Sequence, residues 1–248
     1  MPRRPRVFLP GYPVHVVQRG NNRSQVFFAS KDAQIYLGWL REAAVEHGVA
    51  VHAYVLMTNH IHLLVSPETA HALPRAMRHV NWRYSRYIND SRGRTGSIWE
   101  GRYRASLVDA DDYFFACSRY IELNPVRAGI ATAPAAFRWS SYKANGEGKL
   151  DPLISAHPLY TDLAATSEGR ALTYRYLFEG GLPDTMLGAI RDAVNGGWPL
   201  GRASFAALVS RHAGRPLTQR KRGRPARCNE LFVPGTFKSG PLIIPGTN

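Results

Sequence analysis

The stretch that decides the fold is VAVHAYVLMTNHIHLLV, residues 49–65. It is mostly apolar, and Thr58-Asn59 divides it into two segments of strand length, so it predicts a β-hairpin. Side chains on a strand point alternately to the two faces of a sheet. We therefore expect His60 and His62 side by side on one face, while Ile61 enters the core. Two imidazoles held in this way supply half of a metal site.

Strand and helix patterns continue on both sides of this hairpin. The predicted elements are a strand over 12–19, a helix over 32–47, the hairpin strands over 49–57 and 60–65, a helix over 73–88, a strand over 98–108 and a helix over 111–124. Pro125 is expected to stop the last helix. This order is typical of the ferredoxin-like split βαβ arrangement, an α+β fold with an antiparallel sheet and two helices on one face. The last helix can then lie against the open face.

The character of the chain changes after about residue 144, where a polar, glycine-rich break begins. We predict three parts: a folded domain over 1–143, a mainly helical extension over 150–214 and a basic tail over 215–248. The clearest helices of the extension are expected near 166–179 and 202–212.

The formal net charge of +14 is distributed unevenly along the chain. Residues 73–104 contain eight arginines and two acidic residues, and residues 215–227 contain six basic residues and no acid. Residues 144–199, by contrast, have four basic and seven acidic residues. Arginine binds phosphate through two parallel hydrogen bonds, so this segregation favours a nucleic-acid partner over a surface that is merely soluble.

The sequence gives no indication of a membrane protein or a secreted protein. No stretch approaches the roughly 18 apolar residues of a membrane span, and no apolar signal segment follows the basic start. The two cysteines, Cys117 and Cys228, lie too far apart in sequence to indicate a disulfide framework. We expect a cytoplasmic, nucleoid-associated protein.

Tyr120 and Asn124 lie four residues apart on the last predicted helix, and therefore on one face of it. If that helix crosses the two histidines, the Asn124 amide oxygen becomes a third metal ligand and the Tyr120 phenol lies near a metal-bound phosphate. A tyrosine oxygen can attack phosphorus when a divalent ion withdraws charge from it. Each residue alone has an ordinary structural explanation, because histidines, tyrosines and helix-end asparagines are common in folded proteins. The prediction rests on their conjunction.

Four motifs resemble those of the HUH single-tyrosine transposases, and most closely those of the REP-associated tyrosine transposases. They are VQRGNNR at 17–23, MTNHIHLLV at 57–65, IWEGRYR at 98–104 and RYIELNPVRAG at 119–129. The resemblance covers about residues 8–143. It implies that His60, His62 and Asn124 bind the metal and that Tyr120 is the catalytic nucleophile.

The same resemblance implies the chemistry. The expected cofactor is Mg²⁺ or Mn²⁺, the expected substrate is single-stranded DNA with REP-like hairpins, and the intermediate is a 5′-phosphotyrosine link with a free 3′-OH. It also implies a monomer, since the insertion-sequence relatives are the dimeric ones. Two other functions stay open: a domesticated protein that binds palindromic DNA without cleaving it, and a metal-dependent DNA hydrolase that uses water as its nucleophile.

Several polar side chains are further candidates for binding DNA. They are Arg19, Asn21, Asn22 and Arg23 after the first strand, Arg83 and Arg86 on the second helix, Arg102 and Arg104 on the fourth strand, and Arg222 and Arg224 in the tail. The first group would rim the sheet, although a solvated turn is an equal alternative. On the second helix the rings are expected in the core and the arginines outside, where they could track phosphate.

Two of these groups carry more specific expectations. Arg102 and Arg104 alternate with Tyr103, so they share one strand face and one of them is expected near the scissile phosphate. The segment KRGRP at 221–225 resembles the core of an AT-hook, which lays arginine into the minor groove of A·T-rich duplex DNA. A disordered basic tail is the alternative there.

Overall fold

A computed structural model describes residues 6–217, and the tail arginines Arg222 and Arg224 lie outside the described residues. The strands are β1 (Val14–Arg19), β2 (Val49–Met57), β3 (His60–Pro67) and β4 (Arg104–Leu107). The helices are α1 (Ser30–His47), α2 (Ala72–Arg92), α3 (Ala110–Glu122), α4 (Asn124–Arg127), α5 (Tyr142–Glu147), α6 (Pro158–Thr161), α7 (Ser167–Tyr176), α8 (Asp184–Gly196) and α9 (Ala203–His212). Short 3-10 turns cover Asn21–Arg23 and Pro134–Ala136.

The four strands form one antiparallel sheet in the order β2-β3-β1-β4. The predicted ferredoxin-like α+β arrangement is confirmed, including the hairpin that joins β2 to β3. In the β1–β3 ladder Val17 lies opposite His62 and Arg19 lies opposite His60. The ends of both central strands therefore meet where the histidines project.

The fourth strand is shorter than the predicted 98–108. Trp99 forms only an isolated bridge to Gly20, and the chain then turns at Gly101, whose φ of +63° favours glycine. The Gly101 N–H donates to the Trp99 carbonyl across this turn. Arg102 consequently lies in a loop, and the prediction that it shares a strand face with Arg104 is wrong.

The two faces of the sheet bury different cores. On one face Ile61 and Leu63 pack with Tyr36 of α1 and Tyr84 of α2, and all four side chains are fully buried. The other face packs against α3 and α8 through fully buried residues, including Leu64, Cys117, Ile121 and Ile190. Full burial of a leucine or isoleucine contributes roughly 1.5–3 kcal/mol, so this second core holds α3 firmly over the open face.

The extension packs on the sheet and on α3. Its helices α7 and α9 confirm two predicted segments, and Thr166 caps α7 by accepting a hydrogen bond from the Gly169 N–H. Helix α8 was not predicted individually, and it contacts β4, β1 and α3. Within the described residues no helix is long and apolar enough to cross a membrane.

A buried carboxylate joins α3 to the extension. Glu122 is fully buried and accepts hydrogen bonds from Ser141 Oγ at 2.5 Å, Asn145 Nδ2 at 2.9 Å and Tyr174 Oη at 2.9 Å. Burial raises the pKa of Glu122 to about 7, and the three hydrogen bonds oppose that rise. Glu122 lies two residues beyond Tyr120, so this network fixes the end of the tyrosine helix.

We expect the Glu122 carboxyl to make stability depend on pH. Its folded-state pKa lies above its ordinary value of 4.5, so its contribution is fully present below about pH 4.5 and is lost as pH rises through about 7. Between about pH 4.5 and 7, the free energy of unfolding of the wild type should decrease relative to that of Glu122→Gln. At higher pH the difference between the two proteins should change little. Denaturant unfolding at a series of pH values measures this.

A matched control for this prediction is Glu179→Gln, which changes an exposed carboxylate in the same way. It should follow the wild-type curve. Parallel curves for the wild type and Glu122→Gln would contradict the assignment. Glu122→Ala should lower the free energy of unfolding by about 3 kcal/mol at low pH, because three buried donors lose their acceptor, and by less as pH rises through about 7.

Candidate metal and DNA site

The predicted metal ligands and Tyr120 meet on the sheet face that α3 covers. A cavity of about 350 Å³ lies there, bounded by the ends of β1 and β3 and by α3, α4 and α8. Its lining includes Arg19, His60, His62, Tyr120, Asn124, Arg127, Arg191 and Asn195. None of the described residues that line the cavity is a carboxylate, so the described lining has an excess of positive charge.

His60 and His62 face one another as the strand alternation predicts, with ring centroids 5.1 Å apart. The Asn59 side chain donates from Nδ2 to the Arg23 carbonyl, which turns its Oδ1 towards His60 Nδ1 at 2.7 Å. Since that oxygen can only accept, His60 Nδ1 carries the proton and Nε2 keeps its lone pair. Burial, followed by the charge of Arg19, lowers the pKa of His60 to about 4. The ring is therefore neutral at physiological pH, the form in which an imidazole can bind a metal.

His15 is a site residue that the sequence interpretation missed. It is 1% exposed, its ring stacks on His62 with centroids 5.1 Å apart, and its Nε2 lies 2.9 Å from His62 Nδ1. Burial lowers the pKa of His15 to about 3, so the ring is neutral and its Nε2 can accept a hydrogen bond. If His62 Nδ1 donates to it, His62 Nε2 is free to bind a metal. The alternation of β1, VHVVQR, places His15 on the same face as Arg19 and could have revealed it.

Tyr120 and Asn124 both line the cavity, but they do not share one helix as predicted. Helix α3 ends at Glu122, and Asn124 begins the separate turn α4. Pro125 occupies the first turn of α4, where a missing N–H breaks no helical hydrogen bond, so it starts a helix instead of stopping one. Tyr120 is 7% exposed and its ring contacts the rings of His15 and His62, each at 5.8 Å between centroids.

Arg127 is a second residue that the predicted site did not include. Its guanidinium lies 4.3 Å over the Tyr120 ring, and its Nη2 donates to the Tyr120 carbonyl at 2.6 Å. Its Nη1 is buried and has no hydrogen-bond partner among the described residues. Burial is the main cause that lowers the pKa of Arg127. An arginine with a free donor beside a phenol is suited to an oxyanion or a phosphate.

The donor set fits a divalent ion. Two imidazole nitrogens suit transition ions, and an amide oxygen suits Mg²⁺ or Mn²⁺. His60 Nε2 has its lone pair available, and the hydrogen bond to His15 allows the same at His62. A separate group, Glu46, His47 and His79, brings possible ligand atoms within 4.8 Å of one another where α1 meets α2.

The other predicted DNA-binding residues fall in different places. Arg19 lines the cavity, while Asn21, Asn22 and Arg23 form an exposed tight turn in which Asn22 and Arg23 have positive φ. Arg102 and Arg104 line a neighbouring cavity of about 470 Å³.

Arg83 and Arg86 do not reach the site, because α2 covers the opposite face of the sheet. Arg83 pairs with Glu42 at 2.5 Å, and Arg86 lies 3.7 Å from Asp90. Tyr84 is in the core as expected, whereas Trp82 is 63% exposed.

Two imidazoles, an amide and a phenol thus share one basic cavity. Residues 10–124 match the family described as Transposase IS200 like. This match confirms the predicted resemblance to this transposase family over residues 10–124. It ends at Asn124, so most of α4 and all later elements lie beyond it.

The fold is shared with a solved structure. A REP-associated tyrosine transposase, determined with a bound REP hairpin, is 16% identical and aligns with a TM-score of 0.52 over 63% of this chain and 93% of its own. A candidate transposase from Deinococcus radiodurans R1 is 17% identical, with a TM-score of 0.35 over 53% of this chain and 99% of its own. No curated protein sequence matches the chain.

We predict that His15 orients His62 for the metal. Substitution of His15 by phenylalanine keeps an aromatic ring but removes the acceptor, and Mn²⁺ affinity should fall by about 10- to 100-fold, as for other partners of metal ligands. Titration followed by the electron paramagnetic resonance of free Mn²⁺ measures this without DNA.

His15→Gln is the rescuing variant for that experiment, because its amide oxygen can take the place of Nε2 as acceptor. It should recover much of the affinity. Equal Mn²⁺ affinity in His15→Phe and the wild type, with both proteins folded by circular dichroism, would contradict the role of His15.

Proposed function

We propose that the protein is a metal-dependent transposase that cleaves and rejoins single-stranded hairpin DNA through a covalent 5′-phosphotyrosine intermediate. The observation that carries this proposal is the meeting of Tyr120 with His60, His62 and Asn124 in one basic cavity. The family match over residues 10–124 supports a transposase-type action on DNA. The fold shared with a protein that was solved on a REP hairpin supports REP-like hairpins as the substrate.

His60, His62 and Asn124 would hold Mg²⁺ or Mn²⁺, which supplies Lewis-acid withdrawal of charge from the scissile phosphate. Tyr120 Oη attacks phosphorus, and the bond from phosphorus to the 3′ oxygen breaks. The phenol loses its proton to water and the 3′ oxygen gains one from water, which leaves a free 3′-OH. Attack by another 3′-OH on the phosphotyrosine reverses these steps and rejoins the strand.

Arg127 has two functions in this scheme. Its position over the ring lets its charge stabilise the Tyr120 phenolate as the proton leaves, since the free pKa of tyrosine is about 10. Its buried Nη1 can then donate to a phosphate oxygen. Both functions require the guanidinium to stay between α4 and Tyr120, where the Tyr120 carbonyl holds it.

Tyr120 and the histidines of one chain already face one another, so a monomer can be catalytically complete. This arrangement supports the expected monomer, with no exchange of the tyrosine helix between subunits. We further propose that Arg222 and Arg224 bind A·T-rich duplex DNA of the nucleoid.

The phosphotyrosine is tested with hairpin oligonucleotides from repeats that flank the protein's own gene, in the presence of Mn²⁺. A 3′-labelled strand should appear on a denaturing gel as a protein–DNA adduct, whereas a 5′-labelled strand should give a free fragment with a 3′-OH. Tyr120→Phe should abolish the adduct, because the ring remains but the nucleophile is gone. Tyr113→Phe on the same helix, which does not line the cavity, should keep it.

Other outcomes favour the alternative functions. Tight binding without an adduct, across several metals and repeats, would indicate a non-cleaving palindrome-binding protein. Cleavage that survives Tyr120→Phe would indicate a hydrolase that uses water.

A further inference from the structure

Two cavities adjoin on the covered face of the sheet and share a wall. The cavity of about 350 Å³ holds the histidines and Tyr120, and the cavity of about 470 Å³ lies beside β4. Val194 and Asn195 of α8 line both of them. The two cavities therefore form a continuous groove that starts at Tyr120 and runs along α8 to the start of β4.

Helix α8 is firmly attached in this position. Ile190 is fully buried in the second core, and Ala193 packs beside it. Beyond the helix, the Ser106 hydroxyl donates to the Trp198 carbonyl, and Leu200 forms a parallel bridge with Val108. The wall is thus a fixed part of the fold, although it lies outside residues 10–124 of the family match.

The groove is strongly basic. Its arginines come from separate parts of the chain and are Arg6, Arg19, Arg102, Arg104, Arg127 and Arg191. Among the described lining residues Glu100 is the one carboxylate. Asn195 Oδ1 accepts a hydrogen bond from Arg104, so α8 positions a groove arginine as well as supplying one. Such a set of cations is suited to a chain of phosphates.

Arg191 is the cation that α8 itself contributes. It is exposed, and it forms no ion pair with any described residue. Its charge also acts on Arg127, where it adds to the effect of burial in lowering the pKa. Two guanidinium groups placed near each other without an acid repel one another, and an anion between them would relieve that repulsion.

We propose that α8 forms one wall of a binding groove for the single-stranded DNA that flanks the scissile phosphate, with Arg191 as a phosphate-binding residue. The inference rests on the proposed function and deepens it, because it names how the extension takes part in substrate binding. Tyr120 is only 7% exposed, and an unpaired strand is narrower than a duplex, so a single strand is the expected occupant of the groove.

The test uses fluorescein-labelled hairpins with and without a single-stranded flank, and measures dissociation constants by anisotropy in EDTA. For the wild type the flank should increase affinity. Arg191→Ala should lower the affinity for the flanked hairpin by about tenfold. It should leave the affinity for the hairpin without a flank unchanged. For the flanked hairpin, a plot of log association constant against log salt concentration has a negative slope. Its magnitude should decrease by about 0.7 in Arg191→Ala, the contribution of one single-strand phosphate.

Charge-matched controls separate a specific contact from general attraction. Arg41→Ala removes one exposed arginine on α1, on the other side of the sheet, and should leave the affinity gained from the flank unchanged. Arg191→Lys keeps the charge and should restore most of the salt slope. Equal losses on both hairpins, or equal losses in Arg41→Ala and Arg191→Ala, would overturn the assignment.

The measurement also separates this inference from the proposed chemistry, because it needs neither metal nor the Tyr120 hydroxyl. Loss of flank affinity in Arg191→Ala, combined with no adduct by the wild type, would support the groove and reject the transesterification. An adduct by the wild type with unchanged flank affinity in Arg191→Ala would reject the groove alone.

Discussion

The site depends on the antiparallel pairing of β1 with β3. In this ladder His62 lies opposite Val17 and His60 lies opposite Arg19, so the two central strands present their polar side chains on one face. The same pairing brings His15 beside His62, where its ring stacks and its Nε2 meets His62 Nδ1. A slip of one residue would turn both metal-ligand candidates into the core between the sheet and α1 and α2. The fully buried Ile61 and Leu63 oppose such a slip.

A second constraint is the packing of α3 on that face of the sheet. Helix α3 carries Tyr120 to the histidines, and its buried Ile121 and Glu122 tie it to the sheet and to the extension. Glu122 is costly to bury, and its three hydrogen-bond donors offset that cost. Since the donors come from α5, α7 and the residue before α5, the extension and the tyrosine helix support one another.

The groove concentrates positive charge, with six arginines and one carboxylate among its described lining residues. Arg19, Arg127 and Arg191 line the histidine cavity, and burial disfavours the charged form of Arg127. An arrangement of this kind destabilises the free protein and favours an anionic ligand. Charged side chains without a partner of opposite charge are expected at binding and reaction sites, where they serve function although they lower stability. The salt-bridged arginine Arg83 on α2 shows the contrasting arrangement.

By itself the sequence determined the order of the elements, the hairpin at 49–65, the common face of His60 and His62, and the residues that match the transposase motifs. These features are local, because they follow from the period of strands and helices and from short turns. Only the tertiary structure decided that β4 begins at Arg104, that a separate helix α4 begins at Asn124, and that His15, Arg127 and Arg191 join the site. Those outcomes depend on packing between segments far apart in the chain, which no local pattern encodes. Helix α8 is the clearest case: its amphipathic sequence is compatible with many positions, and contacts with β4 and α3 select this one.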